Sequence, residues 1–189
     1  MKEQTARKVR ALIVILSGVA QPLVLGQTPA PKAPPRASSA EQRTFSVEDE
    51  SVKRPAPLPA AVARMLAKDP AVQEVLKNLD RSADQLPSSW FLVSEVHLSG
   101  AEEKDLVVIG QGPVLGANVT SFWMLRPKQG DFELILKCVG HNVAIKDTRS
   151  EGYRDVEMTA ATANRVSRVL YKFNGSQYKA YPGGSTPVP

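Results

Sequence analysis

The chain has 189 residues, with 24 basic and 19 acidic side chains, 15 prolines and one cysteine. A single cysteine excludes an intrachain disulfide, and the length allows one domain with a core of its own. The formal charge of +5 invites a nucleic-acid partner until it is divided along the chain. Residues 1–26 hold Lys2, Arg7, Lys8 and Arg10 against Glu3, so the remainder carries about +2 and offers no basic footprint for DNA or RNA.

Residues 1–26 follow the order of a secretory signal: a charged start, the apolar run Ala11–Leu16, then small residues, with cleavage expected after Ala20 or Gly26. As an anchor the span is interrupted by Gln21 and Pro22, and it falls short of the roughly 20 apolar residues a bilayer needs. The expectation is a periplasmic or secreted protein with no transmembrane span once the signal is removed. Residues 27–57 turn to Pro, Ala, Ser and charge, with almost no large apolar residue except Phe45 and Val47, and read as a disordered proline-rich linker.

Residues 58–89 form a helical lead-in. Leu58, Val62, Met65 and Leu66 fall on one helical face. Asp69-Pro70 then supplies an N-cap and a first-turn proline for a second helix, whose stripe is Val72, Val75, Leu76 and Leu79. From Trp90 the period becomes that of strands, and eight are expected, near 90–98, 105–109, 119–126, 132–138, 141–146, 153–159, 165–173 and 177–181. Asn174-Gly175 reads as a two-residue hairpin turn. Residues 182–189 read as a disordered tail. The fold expected is α+β: two short N-terminal helices packed on an antiparallel β domain, residues 90–181, of about eight strands.

Within that domain one scheme occurs twice. Asp105–Ile109 leads through a loop to Ser121–Leu125, a turn at Gly130 and a strand from Phe132. Asp155–Thr159 leads to Arg168–Phe173, a turn at Asn174-Gly175 and Tyr178. Matching landmarks are offset by 45 to 50 residues, as in a duplicated β unit whose loops have diverged. Gly152-Tyr153-Arg154-Asp155-Val156 resembles the Gly-x-x-Asp-Leu half-blades of FG-GAP and similar propeller-type repeats. More broadly, residues 58–181 resemble uncharacterised secreted bacterial proteins with a short helical lead-in before such strands. The resemblance implies an envelope location and no activity. The Asp-x-Asp-x-Asp-Gly run by which family members bind calcium is missing here.

The candidate chemistry is sparse. Asp105 and Asp155 are weak metal candidates, and the reading preferred for both is acceptance of backbone N–H bonds at a tight turn. Two histidines and one cysteine, without ligand spacing, make no zinc site. Cys138 is in phase with Phe132, Leu134 and Leu136 and is expected in the core, not paired with His141 as a nucleophile. The glycines at 110, 112 and 116 fail as a nucleotide loop because Pro113 interrupts them and a strand follows. Glu95 and His97 project from one strand face, and with Asp105 they define the one catalytic alternative, a degenerate hydrolase. A calcium-stabilised repeat module is the other alternative.

The expected function is therefore a non-enzymatic binding or scaffold module, with no catalytic residues, no cofactor and no nucleic acid. Its partner would be an envelope protein or an anionic glycan. The candidate contact residues are Tyr153, Arg149, Arg154, Arg165 and Arg168, because arginine forks with a nearby tyrosine suit carboxylate contacts.

Overall fold

The computed structural model describes residues 41–47, 52–100, 102, 104–181 and 185–187. The signal expected over residues 1–26 lies outside them. Two helices, α1 (Ala60–Leu66) and α2 (Pro70–Asn78), accompany two antiparallel sheets. The first sheet has the order β2 (Pro55–Ala56), β3 (Phe91–Val96), β4 (Asp105–Gly110), β5 (Thr120–Lys128), β6 (Asp131–Gly140). The second has β1 (Thr44–Ser46), β7 (Asn142–Ser150), β8 (Tyr153–Thr162), β9 (Arg165–Phe173), β10 (Tyr178–Tyr181), with β11 (Ser185–Pro187) also on β9. Each sheet is thus a short edge strand followed by a four-stranded meander.

Two apolar clusters define the layers. Between the sheets lie Val107 and Ile109 of β4, Phe122 and Met124 of β5, Cys138 of β6, Val143 and Ile145 of β7, Val156 and Met158 of β8, and Phe173 of β9. On the other face of the first sheet, Val62, Leu66, Val72 and Leu76 of the helices pack on Trp90, Phe91, Val93, Leu106, Val108, Trp123 and Leu125. Strand β4 is consequently buried along its whole length, which is why Leu106–Ile109 is a continuous apolar run with no alternation.

Asp69 locks the helices to the sheet. Its Oδ1 accepts the Ala71 N–H at 2.9 Å as the N-cap of α2, its Oδ2 accepts the Trp123 indole N–H at 2.9 Å, and Lys137 donates to the same carboxylate at 2.7 Å. Burial pushes its pKa up, but the bonds from Lys137, Trp123 and Ala71 outweigh that, and the net shift is downward.

Gly140 marks the corner where the chain leaves one sheet for the other. It pairs with Thr120 in the first sheet, while the next residue, His141, donates its N–H to the Thr159 carbonyl of the second at 2.8 Å. A Cβ at Gly140 would meet Met158 Sδ at 2.5 Å and the Thr159 carbonyl oxygen at 2.8 Å.

Several expectations are corrected here. The linker expected over residues 27–57 is ordered over 41–47 and 52–57, because Phe45 is a core residue, 1% exposed, opposite Val143. Bonds from Ile145 N–H to the Arg43 carbonyl and from Val47 N–H to the His141 carbonyl hold that segment on β7. The tail expected to be disordered from 182 contains β11, because β10 covers β9 only over 170–173 and β11 covers 165–167. The eight expected strands are present, but the count omitted β1, β2 and β11, which are only two or three residues long.

Strand phase also departs from expectation. In β6, Met124 pairs with Leu136 and Leu125 with Leu134, so Ile135 is an extra residue in a bulge. Ile135 and Leu136 therefore both enter the inter-sheet core, while Leu134 is 38% exposed. Leu79 lies past the end of α2 and is 46% exposed. At Asn174-Gly175 only the glycine has positive φ, and the loop runs over residues 174–177 with the Asn174 carboxamide accepting from the N–H groups of Ser176 and Gln177. The two-residue turns with positive φ at both positions are Gln129-Gly130 (50° and 80°) and Glu151-Gly152 (47° and 81°).

Candidate functional site

The residues of the catalytic alternative engage separate partners. Glu95 pairs with Lys104, and the His97 ring nitrogen Nδ1 lies 2.9 Å from Glu41. The Asp105 Oδ2 accepts the backbone N–H groups of Leu98 at 2.9 Å and Ser99 at 3.3 Å, closing the loop between β3 and β4. Glu95 and His97 are exposed, whereas Asp105 is 2% exposed. Burial raises the Asp105 pKa against the lowering effect of the two N–H bonds and of the nearby His97 and Arg126 charges.

Cys138 and His141 likewise stay apart. The thiol is buried in the inter-sheet core, and burial pushes it up to about 12, far from a thiolate at neutral pH. The His141 Nδ1 accepts the Ala161 N–H at 3.0 Å, which leaves that nitrogen a structural acceptor of the sheet corner. Among the described residues, Glu95, His97, Asp105 and His141 thus engage partners that are all different.

Asp105 and Asp155 head toward the same end of the sandwich, where the two sheets are tied together. Leu98, in the loop after β3, gives its carbonyl to the Arg154 N–H at 2.8 Å and to Arg149 Nη1 at 3.3 Å. The Tyr178 hydroxyl donates to the Arg154 carbonyl at 2.6 Å, and the Ser150 hydroxyl donates to Asp155 Oδ1 at 2.7 Å. Burial, with the nearby Asp105 and Asp155 carboxylates adding to it, raises the Tyr178 pKa. Beside them Tyr153 stacks on Phe173 with ring centroids 4.0 Å apart, and Phe173 meets Tyr178 edge to face at 5.4 Å. Arg126 sits over Phe173 and bonds Glu133 through Nε and Nη2; hydrogen bonds with Tyr153 and Glu133 raise its pKa. Among the described residues no group of three His, Cys, Asp or Glu side chains gathers where a metal would be held.

This junction absorbs three of the five candidate contact residues. Arg149 donates to the Gly152 and Leu98 carbonyls, Tyr153 is stacked, and Arg154 pairs with Asp147 at 2.9 Å. Arg165 and Arg168 are exposed and pair across the sheet with Thr162 and Thr159. Thr159 is five residues along β8 from Arg154, about 17 Å at the rise of a strand. The five residues thus divide into two groups at opposite ends of the second sheet.

Sequence reasoning passed over the outward face of β9 and β10. Tyr171 and Phe173 contact the inter-sheet core, so Leu170 and Lys172 point the other way. Lys179 pairs with Lys172, and Tyr181 with Leu170, which places both on that outward face. The Lys172 ammonium lies 4.6 Å from the centroid of the Tyr181 ring, and Tyr181 remains 57% exposed. A signal was present in the sequence: between 41 and 181 the 18 basic and 18 acidic residues cancel, yet from 158 to 189 there are four basic residues and no acid.

No protein-family model, no curated protein and no solved structure matches this chain.

Proposed function

We propose that the chain is an exported, non-enzymatic binding or scaffold module of the bacterial envelope or extracellular space. The observation that carries this reading is the contrast between two regions. Glu95, His97, Asp105 and His141 are each tied to a structural partner and Cys138 is buried, while the β9–β10 face holds cations that no ion pair of the described residues includes. Catalysis needs a base and an orienting group in reach of one substrate atom. Recognition needs only an exposed, chemically distinct surface.

The order of residues 1–26 supports export. We read the domain as two related β units, supported by the equivalent plan of the two sheets, each an edge strand plus a four-stranded meander. Fractionation of a bacterial host expressing the whole chain tests the reading. The product should appear outside the cytoplasm with a new N-terminus at Gln21 or Gln27, and an intact product confined to the cytoplasm would refute it.

A further inference from the structure

Lys172 and Lys179 are directly opposite each other on adjacent antiparallel strands. Like charges in that arrangement repel, and the cost falls when an anion sits between them. The hairpin supplies none, since the last acidic residue of the sequence is Glu157. Glu157, opposite Leu170 on β8, faces Lys146 at 3.4 Å and so is already engaged. The neighbouring Asp155 is 3% exposed and accepts from Ser150. A domain whose charge balances overall therefore leaves an unbalanced cationic pair on an open sheet face.

The feature that narrows the class of anion is Tyr181. The Lys172 ammonium lies over its ring, and the residue is more than half exposed. A flat ring beside two ammonium groups matches a sugar that carries a carboxylate. The apolar C–H face of the pyranose lies on the ring, and the carboxylate accepts hydrogen bonds from both lysines. Duplex nucleic acid would contact the cations alone, and a single exposed tyrosine is too little for successive base stacking.

We infer that the outward face of β9–β10 binds a uronate-bearing polysaccharide, with the carboxylate between Lys172 and Lys179 and the sugar ring on Tyr181. The inference names the partner of the binding module proposed above and rests on that reading.

Calorimetric titration of the full chain with oligogalacturonate tests it. Binding should weaken at least tenfold with the methyl-esterified oligomer, which keeps the ring and removes the charge. Lys172→Glu with Lys179→Glu should weaken it about a hundredfold and Tyr181→Ala about tenfold, since each lost charged hydrogen bond is worth roughly a factor of ten. Lys53→Glu with Arg54→Glu, an equal charge change on exposed residues by β2, should leave affinity unchanged. If melting shows that the double charge reversal unfolds the chain, Lys172→Gln with Lys179→Gln is read in its place. Absence of binding overturns the inference, as does equal affinity for the ester. Equal affinity for a DNA duplex or phosphatidylglycerol vesicles would show a general polyanion surface and also overturn it. The export reading is judged by fractionation and is untouched by any of these results.

Discussion

Replacing Phe45 by alanine should destabilise the domain as strongly as a deletion in the middle of the core. The ring is 1% exposed and belongs to the inter-sheet cluster. A phenylalanine buries about 150–250 Å². At about 25 cal/mol per Å² this corresponds to about 4–6 kcal/mol. Truncations of this kind in cores cost about 3–5 kcal/mol, the cavity included. For a domain of this size, at about 3–4 °C per kcal/mol, the melting temperature should fall by about 10–20 °C. Thermal unfolding followed by circular dichroism measures this directly, with Phe45→Leu as a comparison that keeps most of the apolar volume and should lose less than half as much. A shift below about 2 °C for Phe45→Ala would mean that β1 is not part of the cooperative fold, and the argument for the inter-sheet core at that edge would fail.

Two aspartates should show opposite pH dependence. The folded-state pKa of Asp69 is depressed, so its contribution is present above the unfolded value of about 4 and is lost as pH falls through the folded value; Asp69→Asn should flatten the acid limb of a stability-versus-pH curve. Asp105 has a raised folded pKa, so its contribution is greatest below the unfolded value and declines as pH rises toward the folded one; Asp105→Asn should remove that decline, and an unchanged slope would contradict the burial argument. Gly140→Ala should cost about 1–3 kcal/mol in denaturant unfolding, and adding Met158→Ala should restore only part of it, because the Thr159 carbonyl also obstructs the methyl group. The Cys138 thiol should resist a disulfide reagent at pH 8 until denaturant is added, and stoichiometric labelling of the native chain would show the core to be open.

The elements legible in the sequence are those whose signal is local. Asp69-Pro70 announces α2 because a side-chain cap and a fixed φ act within one turn, and β3 to β10 announce themselves by runs of apolar and β-branched residues. Elements of two or three residues cannot show a period, which is why β1, β2 and β11 are silent in the sequence. The same limit applies to β6, where one inserted residue at Ile135 changes which side chains are inside without changing the composition of the strand. It applies as well to the three glycine turns: Asn174-Gly175 has the favoured composition, but the carboxamide closes a longer loop, while Gln129-Gly130 and Glu151-Gly152 form the tight turns.

The candidate surface divides along the same line. Composition alone shows that residues 41–181 balance their charges and that the last 32 residues of the chain carry four cations and no acid. Folding brings Arg149, Tyr153 and Arg154 to the junction between the sheets, and sets Lys172, Lys179 and Tyr181 on one open face. The reason is register: which side chains stand opposite one another across two strands is set by the pairing of distant backbone groups and by the core each strand must cover, and neither is written in the spacing along one strand.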